Sequence, residues 1–234
     1  MIISDLTQAQ PLACTSPADG CLLPAEHRLE IVIDGRPALQ AVCTPANLAE
    51  LAAGRLLTEG LIRTAEDIRE LTVSADCRRV EAVLNTAGAA QPEMPRPTPA
   101  VWERGWLLAL ADRMKREEPL YSQTHAVHAC YLARQGEVLC CREDLGRHNA
   151  LDKAVGYGLL QGIDLSECLL FTTGRMPSDM VLKAVRSGVP LLASKTYPTD
   201  VGLALARRAG LTLATVRAGE VRIWTERGTE EKRL

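Results

Sequence analysis

The sequence holds a single phenylalanine and only 3% aromatic residues. Its core must therefore be built from Leu, Val, Ile and Ala, and an extended aromatic platform for unpaired bases is not expected. It also lacks a charge imbalance. A formal charge of −2 and a pI near 6.1 exclude a general nucleic-acid or membrane-surface binder, so any anion must be met locally. No run of 18 apolar residues occurs, and the first twenty residues have neither a basic start nor an apolar stretch of signal-peptide length. Neither a spanning helix nor a secretory leader is expected, and the cytoplasm is the expected location. There is no C-x-x-C, and no His and Cys recur at zinc-ligand spacing, so no metal site is expected. The eight cysteines (14, 21, 43, 77, 130, 140, 141 and 168) are scattered. Several lie in apolar strand-like runs, where a free thiol behaves as a small hydrophobe, so disulfides are not implied. G-x-G-x-x-G, G-x-x-x-x-G-K-[ST] and H-x-E paired with P-C-x-x-C are all missing, which disfavours the common dinucleotide, P-loop and zinc-deaminase chemistries.

What is present has the balance of a soluble globular protein, 47% hydrophobic and 24% charged over 234 residues. That length suits one large domain or a domain with an appendage. Residues 1–26 read as a flexible leader. Residues 27–100 read as a smaller N-terminal α+β part: "RLEIVIDGRPALQAVC" alternates around Asp34-Gly35 as a hairpin, and "TPANLAELAAGRLLTEG" reads as a helix capped by Thr44 and ended by Gly60. This part closes on the four-proline stretch 85–100, an exposed loop. From 101 to 225 helices and short apolar strands alternate. In the first helix, "VWERGWLLALADRMKREE", Trp102, Trp106, Leu110 and Met114 form a stripe that reads as core. A second hairpin turns at Gln135-Gly136. The pattern predicts an α/β layered sandwich with a mixed sheet whose helix-linked strands are parallel. Residues 226–234 form a polar tail.

Three strand-to-helix junctions, "REDLGRHN", "TTGRMPSD" and "SKTYPTD", each carry a cation: Arg147 with His148, Arg175, and Lys195. Ligands of open α/β sheets bind at the carboxyl ends of parallel strands, where helix N-termini present free N–H groups, and arginine grips phosphate oxygens bidentately. The junctions point to a phosphate or pyrophosphate pocket. Each residue also has a structural reading. Asp144 and Asn149 suit helix capping, Asp179 suits a first helical turn, and Arg147 suits a surface pair with Glu143 or Asp152. Cys140 and Cys141 are strand neighbours and point to opposite faces. His128 suits either a satisfied core position or a proton carrier beside a phosphate.

"THAVHAC", "REDLGRHNALDKAVG", "TTGRMPSDMVLKAVRSGVPLLASKTYPT" and "LARRAGLTLATVRAGEVRIWT" resemble, in order and spacing, the formate dehydrogenase accessory protein family (FdhD). The resemblance implies a cytoplasmic, homodimeric protein with a cytidine-deaminase-like α/β fold. It implies a sulfurtransferase that passes sulfur from a cysteine desulfurase to bis-molybdopterin guanine dinucleotide before its insertion into formate dehydrogenase or a related molybdoenzyme, with GDP as a partial mimic of that cofactor. Carried over by position, cofactor contacts fall on His128, Arg147, His148, Gly174, Arg175 and Lys195, and on the loop Val216, Arg217, Ala218, Gly219 and Glu220. The family's C-G-x-C-G segment, whose first cysteine holds the persulfide, would fall in residues 85–100, which contain no cysteine. Its Gly-Gly is replaced by His125-Ala126, and Glu220 stands where a basic residue is usual. Two other functions stay open: a cofactor carrier without sulfur chemistry, and an unrelated nucleotide-processing enzyme with His128 or His148 as base.

Overall fold

The computed structural model describes residues 2–4, 14–15, 22–85, 95–116 and 119–225. Residues 86–94 of the expected loop 85–100 and residues 226–234 lie outside the described residues, as does most of the stretch expected as a leader. Three parts of that stretch are strands, β1 (Ile2–Ser4), β2 (Cys14–Thr15) and β3 (Leu23–Pro24), of which β2 and β3 pair with each other.

The alternating run around Asp34-Gly35 folds as the expected hairpin of β4 (His27–Ile33) and β5 (Arg36–Cys43). Both turn residues have positive φ, 48° and 75°, the twist that a two-residue turn needs to match its strands. Helix α1 (Leu48–Thr58) follows, then β6 (Ile68–Val73) and β7 (Arg79–Leu84). The sheet order is β1-β6-β7-β4-β5, with Ile2–Ser4 paired in parallel to Glu70–Thr72. Thr44 does not cap α1. Asn47 precedes the helix in the left-handed region (φ 57°) without a side-chain cap, because the Thr44 hydroxyl is engaged elsewhere.

Helix α2 (Arg104–Arg116) starts later than its periodicity suggested, but the stripe is core: Trp102, Leu110 and Met114 are buried, and Trp106 packs on Gly136. After α3 (Pro119–Thr124) come β8 (His128–Arg134) and β9 (Glu137–Asp144), hinged at Gln135-Gly136 as expected. The regular part then runs α4 (Arg147–Leu160), β10 (Leu169–Thr172), α5 (Ser178–Ser187), β11 (Leu191–Ser194), α6 (Asp200–Ala209), β12 (Thr212–Arg217) and β13 (Glu220–Ile223). These strands form a mixed sheet ordered β13-β12-β11-β10-β8-β9, in which β10, β11 and β12 are parallel and the hairpin partners antiparallel.

Residues of this sheet alternate between two cores, as a period of two requires. Cys130, Leu132, Leu170, Leu192 and Leu213 face α4 and α5, in a core that continues through α1 to the five-stranded sheet. Tyr131, Phe171, Leu191 and Ala193 face α2. Helices α1 and α4 cross at glycines. A Cβ on Gly54 would fall 1.8 Å from the Asp152 carbonyl oxygen, and one on Gly156 would fall 1.8 Å from that of Glu50. This crossing seats the start of α4 against the N-terminal sheet.

Candidate functional site

The start of α4 rests on a buried ionic network. Asp144 ends β9 fully buried, and its Oδ2 lies 2.6 Å from Lys153 Nζ, also fully buried. The same oxygen accepts the backbone N–H and the hydroxyl of Thr44. Oδ1 accepts the Gly146 N–H and the Asn149 amide, which also donates to the Val42 carbonyl at 2.7 Å. Lys153 donates in turn to the Thr44 carbonyl and hydroxyl. A buried charge survives only when paired and hydrogen-bonded in this way. Asn149 is therefore not a helix cap. Gly146 holds the cap position without a side-chain bond, and Asn149 is a strut between β5 and β9. Arg147 does not pair with Glu143 or Asp152 either. Glu143 accepts the Leu120 and Tyr121 N–H groups at the start of α3, and Asp152 is held by Lys183, Thr58 and Arg55.

With α4 so fixed, Arg147 and His148 occupy its first turn beside the ends of β10 and β11. His148 Nε2 lies 2.8 Å from Asp179 Oδ2, joining α4 to the first turn of α5. Burial raises the Asp179 carboxyl, but the Met180 N–H and His148 outweigh it and leave the acid below its ordinary range. The loop after β10 packs onto Arg147 through Gly174, where a Cβ would meet Arg147 Cβ at 2.7 Å. Ser194 and Thr196 hydroxyls both donate to the Gly174 carbonyl, and Met176 bridges Pro198, so the loops after β10 and β11 are interlocked. Arg147 Nε is buried without a hydrogen-bond partner among the described residues.

A cavity of about 440 Å3 opens at these strand ends, lined by Tyr121, His125, Ala126 and Val127 from the α3–β8 segment, by Leu145, and by His128, Thr173, Lys195 and Thr196. His128 Nδ1 lies 3.1 Å from Thr173 Oγ1. Burial, followed by the charges of Arg147, His148 and Arg175, holds its imidazole below the ordinary range. His128 is thus a neutral hydrogen-bonding group at neutral pH rather than a cation. Of the sequence-derived residues, His128 and Lys195 line the cavity, while Arg147, His148 and Arg175 act on it electrostatically from its flank. The hairpin of β12 and β13 turns at Ala218-Gly219 against the β11–α6 loop, with the Arg217 guanidinium 5.8 Å from the Tyr197 ring. In this hairpin Val216 is buried in the core beside α2, and Arg217 to Glu220 are exposed. The sequence reading places a family turn on Thr173 to Arg175 and marks the change at His125, but gives no role to Tyr121, Leu145 or Thr196.

Cys43, Cys77, Cys130, Cys140 and Cys168 are buried, and Cys141 is half-buried. Burial pushes Cys43 and Cys140 up to about 12 and Cys168 up to about 11, and raises Cys130 well above its ordinary value. Cys140 and Cys141 point to opposite faces as expected, Cys140 into the inner core and Cys141 toward α2. A sulfur-carrying cysteine needs an accessible, low-pKa thiolate, which none of these four offers.

A family model described as FdhD/NarQ matches residues 24–98 and 77–230. The chain belongs to the FdhD/NarQ family. The sulfur carrier protein FdhD of Mycolicibacterium paratuberculosis is 30% identical over 243 residues, covering 87% of this chain and 89% of the relative. That of Streptomyces avermitilis is 31% identical, covering 86% and 88%. A crystal structure from Desulfotalea psychrophila, described as a formate dehydrogenase accessory protein, aligns at a TM-score of 0.77 with 31% identity over 92% of this chain and 95% of its own. This chain has no cysteine between Cys77 and Cys130, and a histidine at 125.

Proposed function

We propose that this FdhD/NarQ chain binds bis-molybdopterin guanine dinucleotide as cargo, by its diphosphate, at the carboxyl ends of β10 and β11, and delivers it to formate dehydrogenase or a related molybdoenzyme. The observation that carries the reading is the cavity at these strand ends, lined by Lys195, His128 and the hydroxyl residues Thr173 and Thr196, with Arg147, His148 and Arg175 near enough to His128 to act on its imidazole. The donor set is cationic and hydroxylic, the chemistry that a diphosphate requires. The names of the relatives, sulfur carrier and formate dehydrogenase accessory protein, support the client class. A cytoplasmic homodimer with a cytidine-deaminase-like core belongs to the same reading.

Delivery is favoured over sulfuration because Cys43, Cys130, Cys140 and Cys168 are buried and held protonated, while Cys141 is half-buried against the α2 core. After incubation with a cysteine desulfurase and cysteine, followed by alkylation and mass spectrometry, no persulfide is expected on Cys43, Cys130, Cys140 or Cys168. Stoichiometric persulfide on any of them, with loss of client activation when it becomes Ser, restores the sulfurtransferase function. A nucleotide-processing enzyme is the weaker alternative, since His148 already engages Asp179 and His128 engages Thr173.

The binding site is tested by calorimetry with GDP. Lys195→Ala, which removes a cation from the cavity wall, is expected to weaken binding about tenfold to a hundredfold, the range for loss of one charge-assisted contact. Unchanged affinity in the variant rejects the site.

A further inference from the structure

His125 ends α3 in the left-handed region, at φ 53°, with its N–H donating to the Tyr121 carbonyl at 2.7 Å. That position usually goes to glycine, which adopts it without strain; a β-carbon there carries a cost. Here an exposed imidazole stands in it, edge-on to the Tyr121 ring with centroids 5.3 Å apart. Both side chains line the 440 Å3 cavity that His128 and Lys195 also line. The pair is fixed from behind, because Glu143 accepts the N–H groups of Leu120 and Tyr121.

We infer that Tyr121 and His125 form the wall of the cavity that receives a planar heteroaromatic ring carried by the diphosphate ligand, making them specificity residues of this chain. This rests on the reading of the cavity as a nucleotide site. A helix terminus accounts for the backbone conformation, which Cys77, Gln135 and Ala218 also adopt, but not for a ring turned to the cavity beside Tyr121. A ligand-facing wall explains both. Tyrosine and histidine are the ring types on which heterocycles stack in a sequence-poor, aromatic-poor protein of this kind, and each such contact is specific to the base and indifferent to the phosphates.

The experiment titrates wild type, His125→Gly and Tyr121→Leu with GDP and with inorganic pyrophosphate, alongside thermal melts. His125→Gly is expected to melt at a higher temperature than wild type, to keep wild-type affinity for pyrophosphate, and to lose about tenfold in affinity for GDP, equivalent to ~1.4 kcal/mol. Tyr121→Leu is expected to lose GDP affinity in the same direction. If His125→Gly gains stability and keeps wild-type GDP affinity, or if wild type binds GDP no more tightly than pyrophosphate, the wall is overturned while the anion site stands. If wild type binds neither, both fall.

Discussion

Lys153→Met is expected to lower stability by about 3–5 kcal/mol, the cost of stranding one partner of a buried ion pair. Lys153 and Asp144 are both fully buried, 2.6 Å apart, and the remaining donors to Asp144, from Thr44, Gly146 and Asn149, are dipoles that cannot neutralise a full charge. The methionine fills most of the lysine's volume, so packing loss is the smaller effect. Adding Asp144→Asn removes the stranded charge. The double variant is expected to be more stable than the sum of the two single losses by at least ~1 kcal/mol. Urea denaturation of the three variants measures this. A Lys153→Met loss within ~1 kcal/mol of wild type would mean that the pair is solvated or absent.

Gly54→Ala separates local propensity from packing by its sign. In an exposed helix the change stabilises by about 1 kcal/mol. Here the new Cβ would lie 1.8 Å from the Asp152 carbonyl oxygen and 2.8 Å from the Gly156 amide nitrogen, backbone atoms of α4 that no rotamer change can move aside. The helices must separate, and a net loss above about 3 kcal/mol is expected, the upper end of overpacking costs. Because α4 carries Arg147 and His148 on its first turn, the folded fraction of the variant is also expected to bind GDP more weakly. A variant as stable as wild type would show that α1 and α4 do not cross this closely.

The sequence made the strands and hairpins legible wherever one short-range signal sufficed. Asp34-Gly35 and Gln135-Gly136 demand their turns, and the runs "CLLFTT", "PLLAS" and "LTLATV" alternate with helical stretches that leave few other arrangements. The helix starts were harder. Thr44 and Asn149 have the chemistry of caps, but each is claimed by Asp144, which lies 100 residues from Thr44 along the chain. A partner so remote leaves no local pattern. The cations of the site were legible because each sits at a strand-to-helix junction. Their unequal roles were not, since Arg147 is sandwiched by Gly174 and Lys195 lines the cavity only through the interlock of two loops. Tyr121 was missed because α3 is too short to show a period.

The placement of the cargo at the strand ends is tested most directly by hydrogen–deuterium exchange with and without GDP. Protection is expected in peptides spanning 145–149, 173–179 and 195–200, where the helix starts and the Arg147 loop meet, with no change in the five-stranded sheet. Protection confined to that sheet, or none at the three junctions under saturating GDP, would contradict the site.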